Sequence, residues 1–229
     1  MDEKFVYAPF YNLERRNTGK LLESSPSGKM GVLESQNLVI LQSSDEKEAM
    51  EWLRKYADVY KAYPIINVIG EGAVQAYREF APQRELCRSY HYVWTGKEAP
   101  KASAPMRFRA SFPQDYKWIR ARYALIGDDE LRPLVDNGDI LIAFDMEENP
   151  VGFAGIHNEG SLGMLEVFEP YRRKGYACRI ESTLIDFAMN RDLIPYGDVF
   201  ADNAASIALQ KELGLEQIPG DCFWSFEEE

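Results

Sequence analysis

The sequence predicts an α/β protein, with a mixed α+β sheet in its C-terminal half and a smaller α/β unit before it. Three short apolar segments separated by turn-rich residues, at 140–144, 151–157 and 162–168, predict three antiparallel strands with short connections. An amphipathic segment over about 173–190 predicts a helix, and the next apolar segment, Val199–Ala201, predicts a strand. Because helical crossovers join parallel strands with a right-handed connection, we expect this fourth strand to run parallel to the third.

The N-terminal part of the chain has weaker signals. Gly19–Gly31 is rich in Ser, Gly and Pro, which predicts a loop. Ser43 and Glu46 match a capping box at the start of an amphipathic helix. The other elements expected here are strands at 38–41, 63–69 and 88–95 and a helix at about 71–80.

A linker is predicted at Gly96–Pro105, which is small, polar and Pro-rich. We therefore divide the chain into a small α/β domain, 1–105, and a second domain, 106–229. In the second domain, apolar residues at helical spacing predict a helix over Tyr116–Ile126, and a second short helix follows at Glu130–Asp136. After the fourth strand we expect a helix at 205–213, opened by Asn203 and ended by Gly214, and a final strand at 222–226.

A basic turn follows the third strand, with the sequence Arg172-Arg173-Lys174-Gly175-Tyr176-Ala177. A turn that leads into a helix presents unpaired backbone N–H groups and the positive end of the helix dipole, which together favour an anion. Gly175 has no Cβ and lets the backbone approach a ligand closely. Since the net charge of the protein is −11, this turn is a local basic cluster on an acidic background. A solvated helix start is the plainer alternative.

Composition narrows the classes of function. With 37 acidic and 26 basic residues, most of the surface repels a phosphate backbone, so nucleic acid is not an expected partner. Cys87, Cys178 and Cys222 are widely spaced and lack a CxxC motif, which argues against a disulfide framework and against a zinc site. No segment has the pattern of a signal peptide or a membrane span. We therefore expect a cytoplasmic protein with no metal and no membrane partner.

Two segments carry a family resemblance. The turn Arg172–Ala177 resembles the coenzyme-A-binding motif Arg/Gln-x-x-Gly-x-Gly/Ala of the GNAT superfamily of N-acetyltransferases. Asp202–Leu215 resembles the second signature of that superfamily, and the element order over 106–229 resembles its fold. The resemblance implies a GNAT-like acyl-CoA N-acyltransferase fold in the C-terminal half, with acetyl-CoA as co-substrate. The two-part layout is similar to the glycine-N-acyltransferase-like branch, and to members with a degenerate acetyltransferase-like half before the active one.

The resemblance also implies how the cofactor is held. Backbone N–H groups of the turn would meet the pyrophosphate, and an exposed strand edge would pair with the pantetheine amides. The residues implied to bind acetyl-CoA are Glu166, Val167, Phe168, Arg172, Arg173, Lys174, Gly175, Tyr176, Ala177, Cys178, Asn203 and Ser206. Core packing is an alternative for Val167 and Phe168, and it is compatible with a contact through the backbone.

The implied reaction is direct transfer of an acetyl group to a primary amine of a small molecule or an amino-acid-like substrate. An alkylammonium has a pKa of about 10, as a lysine does, so a base must produce the neutral nucleophile. Glu166 is the best candidate for this catalytic base, because a carboxylate interrupts an apolar strand there. A surface-facing strand residue is the alternative reading of Glu166, and Glu169 and His157 are weaker candidates for the base.

The departing thiolate raises a second question. Many superfamily members place a Tyr in the late helix to protonate it, and the matching position here holds Gln210, which cannot supply a proton as Tyr can. A thiol pKa of about 8.5 still makes the thiolate a tolerable leaving group, and Ser206 or Tyr176 could assist. Cys178 lies near a predicted helix N-terminus, so an acetyl-cysteine intermediate is a further alternative.

Three functions stay open at this stage. The leading hypothesis is an N-acetyltransferase, the second is a non-catalytic acyl-CoA-binding module, and the third is a scaffold that only keeps the fold. The acceptor amine is expected to enter opposite the cofactor, with Tyr123 and residues 153–157 as part of its wall. The acceptor itself, the acyl-chain preference and the choice between monomer and homodimer are not determined by the sequence.

Overall fold

In the computed structural model, which describes residues 1–226, the first 95 residues alternate between short helices and strands. These elements are α1 (Glu3–Val6), α2 (Ala8–Arg16), β1 (Lys20–Ser24), β2 (Gly28–Leu33), β3 (Leu38–Ser43), α3 (Glu46–Lys55), α4 (Ala57–Ala62), β4 (Ile65–Ile69), α5 (Glu71–Phe80) and β5 (Cys87–Val93). The helix predicted at about 71–80 is confirmed by α5. Its buried face, which includes Ala73, Ala76 and Tyr77, packs into one core with Leu53 and Met50 of α3.

An irregular segment over 96–105 leads to the remaining elements. They are β6 (Arg107–Ala110), α6 (Tyr116–Arg120), α7 (Asp128–Asp136), β7 (Ile140–Phe144), β8 (Pro150–Ile156), β9 (Leu162–Val167), α8 (Tyr176–Met189), β10 (Tyr196–Phe200), α9 (Ala204–Leu213), β11 (Glu216–Gln217) and β12 (Cys222–Ser225). The three predicted antiparallel strands are confirmed as β7, β8 and β9. Strand β6, which pairs with β7, was not predicted, because its polar sequence RFRA has no apolar run.

The larger sheet combines strands from both ends of the chain. Its order is β1-β2-β3-β4-β12-β5-β10, and β11 also pairs with β5. The pair β3–β4 is parallel and the other ladders of this sheet are antiparallel. Because β12 lies between β4 and β5, the last strand of the chain is enclosed by strands from its first 95 residues. The division into domains at residue 105 stays a prediction, and the sheet crosses that boundary.

The smaller sheet has the order β6-β7-β8-β9, so β9 and β10 belong to different sheets. A Cβ built on Gly197 of β10 would lie 3.0 Å from the carbonyl oxygen of Leu162, the first residue of β9. The two strands therefore approach each other near their beginnings, yet no ladder joins them within residues 1–226. The expected parallel partner of β9 pairs with β5 instead, since β5 offers an antiparallel edge that the sequence did not assign to this half of the protein.

Several local predictions were wrong. Gly19–Gly31 is not a loop, because β1 and β2 occupy most of it. Gly28 is needed there because a Cβ would lie 2.3 Å from the Gln42 carbonyl oxygen. The N-cap of α3 is Asp45, whose carboxylate accepts from Glu48 N, rather than Ser43. The helix predicted over Tyr116–Ile126 ends at Arg120, and residues 121–127 form an irregular segment that begins with a turn.

Two further boundaries differ from the prediction. Strand β10 begins at Tyr196 rather than at Val199, because its first residues pair with β5. Phe168 lies just after β9, which ends at Val167. None of the helices within residues 1–226 is long and apolar enough to cross a membrane.

Candidate active site

The basic turn joins β9 to α8 and has the geometry of an anion-binding turn. Gly175 is the N-cap of α8 with φ +76°, and Arg173 also has a positive φ of 59°. Among the residues that the structure describes, no side chain caps this helix end, so the N–H groups of its first turn lack a side-chain cap. A Cβ built on Gly175 would meet no atom of residues 1–226 within 4 Å, so the space beside this glycine is open. The turn therefore fits an anionic group such as a phosphate.

Arg172 points back from this turn to the end of β9. Its Nε donates to the Val167 carbonyl oxygen at 2.8 Å, and its guanidinium pairs with the Glu166 carboxylate at 2.9 Å. Lys174 Nζ donates to the Pro170 carbonyl oxygen at 2.9 Å, so this side chain is hydrogen-bonded within the β9–α8 connection itself. Arg172 thus links the predicted cofactor turn to the predicted base.

A β-bulge lies in β9 immediately before Glu166. The pairing of β8 with β9 shifts between Phe153 and Gly155, and Met164 has φ +56°. Positive φ is unusual for a methionine, and a bulge locally breaks the ladder and re-aims the backbone beside it. The bulge therefore interrupts the regular ladder of β9 at Met164 and Leu165, directly before Glu166.

A cavity of about 830 Å³ occupies the gap between β9 and β10. Its walls come from the irregular segment 122–127, α7, the two strands, α8 and α9, together with residues from the first 95 positions. Of the predicted cofactor residues, Glu166, Asn203 and Ser206 line it, whereas the turn Arg172–Cys178 lies outside it. Tyr123 and His157, which were predicted for the acceptor wall, line this cavity, and Gln36, Leu38 and Ile65 add a contribution from the N-terminal part.

Three titratable groups, Glu130, His157 and Glu159, form one end of the cavity, with ligand atoms that all lie within 4.8 Å of one another. His157 Nδ1 is 3.0 Å from Glu130 Oε1, and Glu159 accepts from the hydroxyl of Ser161. Burial alone would lower the pKa of His157, but its hydrogen bond to Glu130 and the charges of both glutamates raise it. Burial raises the pKa of Glu159. Each of the three residues offers one ligand atom for a cation, and the expected absence of a metal stays a prediction.

Glu166 lies on the same side of the smaller sheet as this acidic end. It pairs across the ladder with Phe153, whose ring packs edge-on against Tyr123 at 6.1 Å. Burial, together with the charges of Glu130 and Glu166, raises the pKa of Tyr123 to about 12. A cavity wall with several carboxylates therefore favours a positively charged or neutral amine over an anion.

Val167 and Phe168 are half-buried and pack against the apolar core. The Phe168 ring lies edge-on against Trp118 at 5.6 Å and Phe153 at 6.2 Å. Val167 packs against the core beneath α8. Neither side chain lines the cavity, so any cofactor contact here would be made by backbone.

At the α8 side of the gap, Glu181 and Gln210 form a buried pair that the sequence interpretation missed. Gln210 Nε2 donates to Glu181 Oε1 at 2.6 Å, and both residues line the cavity. Burial raises the pKa of Glu181 to about 7, although the Gln210 hydrogen bond lowers it. The available signal was the spacing of Glu181 on α8, three residues after Cys178 and four before Ile185, which marks a carboxylate on a buried helix face.

The remaining predicted residues have narrower roles. The Asn203 side chain accepts from Ser206 N at 3.1 Å, so the amide oxygen of Asn203 acts as the N-cap of α9. Cys178 is not part of the cavity wall, and burial with the nearby Glu212 raises the pKa of its thiol to about 11. A thiol with this pKa is protonated near neutral pH, which argues against an acetyl-cysteine intermediate.

A second missed pair lies on the larger sheet. His91 Nδ1 is 2.6 Å from Asp198 Oδ1, and the same carboxylate accepts from Trp224 Nε1 at 3.0 Å. His91 and Asp198 are both shielded from solvent, although Asp198 also lines the cavity. Because the two residues are 107 positions apart, only strand pairing between β5 and β10 brings them together.

Residues 104–215 match the model of the acetyltransferase (GNAT) family. This stretch is a GNAT acetyltransferase domain. It contains both segments that carry the resemblance, and it spans β6 to α9. GNAT enzymes transfer acyl groups from acyl-CoA, so acyl transfer is the general chemistry of this domain.

Solved structures extend the likeness to the whole chain. A Drosophila protein aligns with a TM-score of 0.71 at 13% identity, covering 97% of this chain and 90% of its own. A GCN5-related N-acetyltransferase from Kribbella flavida aligns with a TM-score of 0.67 at 11% identity, covering 99% and 95%. A GNAT acetyltransferase from Colwellia psychrerythraea aligns at 0.53 and 12% identity, covering 99% and 90%. At these identities the likeness shows the fold.

No curated protein matches the sequence. The branch of the GNAT superfamily, including the predicted glycine-N-acyltransferase-like one, stays a prediction. The same holds for a degenerate acetyltransferase-like half at the N-terminus.

Proposed function

We propose that this protein is an acetyl-CoA-dependent N-acetyltransferase that acetylates a primary amine of a small molecule or an amino-acid-like substrate by direct attack. The observation that carries the proposal is the cavity in the gap between β9 and β10, inside a GNAT domain, with an acidic end and a β-bulge in its wall. The basic turn lies directly after β9, at the start of α8.

The turn supports the choice of coenzyme A. Its first-turn N–H groups, the cations of Arg173 and Lys174, and the open space at Gly175 suit a pyrophosphate. The outer edge of β9 forms no ladder with β10, so its backbone groups can pair with the amides of an extended arm. A thioester bound in this way would reach the gap from the α8 side.

The acidic end supports an amine acceptor. Glu130 and Glu159 would attract an ammonium group, and Leu38, Ile65 and Tyr123 offer apolar contacts for the rest of the molecule. The N-terminal part of the chain therefore contributes to acceptor selection. Neither nucleic acid nor a membrane is a proposed partner.

Glu166 is the proposed base. Its carboxylate would take the proton that the amine loses as its nitrogen bonds to the acyl carbon, directly or through one water. Arg172 pairs with this carboxylate at 2.9 Å, so the guanidinium must be shared or released when the carboxylate accepts a proton. His157, which is hydrogen-bonded to Glu130, is the next candidate, because its raised pKa makes it a stronger base than an ordinary histidine.

A non-catalytic acyl-CoA-binding module is the second candidate function. It is favoured by Gln210, because the side-chain amide of this residue donates to Glu181 and is not acidic enough to protonate a thiolate.

We also propose that the protein is cytoplasmic. Its three free cysteines, Cys87, Cys178 and Cys222, support this location.

Two measurements separate these functions. Acetyl-CoA binding is measured by calorimetry, and thiol release is measured with a panel of alkylamines, diamines, arylalkylamines and amino acids. The proposal expects binding and amine-dependent thiol release, with Glu166→Gln lowering kcat about 100-fold or more while binding persists. Binding without release by any amine supports the binding module, and absence of binding refutes both.

A further inference from the structure

We propose that Glu181 is the general acid that protonates the sulfur of the departing coenzyme A. This inference rests on the proposed function and goes beyond it, because it assigns a catalytic role to a residue outside both GNAT signatures. It also gives a chemical role to the pair that Glu181 forms with Gln210.

The position of Glu181 is the first support. It lies on α8 six residues after Gly175, which corresponds to about 9 Å along a helix axis. The acyl donor held at the start of α8 must pass along this helix to reach the cavity. Glu181 lines that cavity together with Leu184 and Gln210 on the α8–α9 side of the gap. The base Glu166 lines the same cavity from β9.

The surroundings of Glu181 are the second support. Only 6% of the residue is exposed, and its neighbours on the helix face, Cys178 and Ile185, pack into an apolar core with Val199. Within residues 1–226, no Lys, Arg or His forms an ion pair with it. A buried carboxyl without a cation favours the protonated form, and its pKa of about 7 leaves a large protonated fraction at neutral pH.

The partner of Glu181 sets its orientation. Gln210 donates an N–H to one carboxyl oxygen, which leaves the other oxygen to carry the proton. Gln210 is therefore a positioning residue for this acid. A carboxyl group kept for packing alone would be costly at this site, because an apolar side chain of the same size would avoid its desolvation.

The step balances as follows. The amine nitrogen bonds to the acyl carbon and the carbon–sulfur bond breaks, leaving its electron pair on sulfur. Glu181 donates its proton to that sulfur, so coenzyme A leaves as a thiol, and the proton lost by nitrogen goes to the base. Water reprotonates Glu181 before the next turnover.

The test compares wild-type protein with Glu181→Gln, which keeps the size and an amide pair with Gln210 but has no acidic proton. Asp186→Asn is the matched control, because it removes a carboxylate from the exposed side of the same helix. Glu181→Asp is a further variant that keeps an acid one methylene shorter. The readouts are kcat and KM for acetyl-CoA, and the pH profile of kcat between about pH 6 and pH 9. Calorimetric affinities for CoA and desulfo-CoA are measured over the same range.

The proposal expects Glu181→Gln to lower kcat about 100-fold, to leave KM unchanged and to abolish the alkaline fall in kcat. Glu181→Asp keeps that fall with a reduced kcat, and Asp186→Asn behaves as wild type. Because an ionised carboxylate opposes a thiolate, wild-type protein should lose affinity for CoA relative to desulfo-CoA as the pH rises. Glu181→Gln should not show this loss.

An unchanged kcat with its alkaline fall intact overturns the proposal. A parallel loss of kcat, CoA affinity and melting midpoint also overturns it, since that result marks a structural role. If wild-type protein releases no thiol with any amine, the proposed function fails. The comparison of CoA with desulfo-CoA then still decides whether Glu181 lies against the sulfur.

Discussion

Substitutions at Gly175 test the anion turn most directly. Its φ of +76° lies in the left-handed region, where a Cβ costs about 1–2 kcal/mol. A built Cβ meets no atom within 4 Å, so Gly175→Ala should add no steric clash to this strain. For a chain of this length, we expect the melting midpoint to fall by about 2–8 °C. Gly175→Glu carries the same strain and also places a carboxylate where the pyrophosphate is proposed to bind.

Gly214 supplies the matched control. It ends α9 with φ +82°, and a Cβ there would lie 3.8 Å from the Trp94 ring, which is ordinary contact. Gly214→Ala should therefore lose a similar amount of stability, but it lies outside the turn and should bind acetyl-CoA as wild type does. The two alanine variants separate backbone strain from ligand contact.

The assay is thermal unfolding with acetyl-CoA, checked by calorimetry. Ligand at 100 times its Kd stabilises the protein by about 2.7 kcal/mol. If Gly175→Glu raises Kd about 100-fold, the same ligand concentration stabilises that variant by only about 0.4 kcal/mol. We expect the ligand-induced rise to be large in wild type and Gly214→Ala and nearly absent in Gly175→Glu. An unchanged Kd in Gly175→Glu would refute the assignment of this turn to the pyrophosphate.

Three further predictions concern Glu181, Cys178 and Asn12. Because the pKa of Glu181 is about 7 in the folded protein against 4.5 ordinarily, the unfolded chain loses its proton first and stability declines as pH rises through this interval. The free energy of unfolding of Glu181→Gln should therefore exceed that of wild type by about 3 kcal/mol at pH 8 and by little at pH 4. An equal difference at both pH values in urea unfolding would contradict this. Cys178→Ser should retain the kcat of wild type, and the Cys178 thiol should react slowly with iodoacetamide at neutral pH. A loss of kcat of about 100-fold in this variant would instead support an acetyl-cysteine intermediate. Asn12→Ala should lower the free energy of unfolding, measured in urea, by about 3 kcal/mol. The Asn12 side chain makes hydrogen bonds of 2.9 Å to the Gly160 carbonyl oxygen and to the backbone N–H and C=O of Ile194. A loss of less than about 1 kcal/mol would contradict the reasoning.

Local elements were predictable where the signal lies within one or two turns of chain. The spacing of apolar residues located α5, β7, β8 and β9 to within a residue or two. Asn203 and Gly214 mark the two ends of α9, since an N-cap oxygen and a left-handed C-cap act on adjacent backbone. The glycine in the basic turn has the left-handed conformation that only a glycine adopts without strain.

Pairing between distant strands could not be predicted in the same way. β5 has a strand-like sequence, but nothing local states that it pairs with β10 and β12, which lie more than a hundred residues away. Loop closure over such a distance depends on burial across the whole sheet rather than on any short motif. The gap between β9 and β10, and the cavity within it, follow from that pairing.

The sequence by itself indicated the basic turn, the order of the helices and strands from α6 to α9, and Glu166 as a carboxylate in an apolar strand. Only the tertiary structure brought Glu130 to His157 and Glu181 to Gln210, and it alone showed that the first 95 residues contribute to the cavity wall. The physical reason is that a titratable side chain acquires its pKa and its partner from burial and from neighbours distant in sequence. A residue such as Glu181 therefore becomes recognisable as a candidate acid only after the helices have packed.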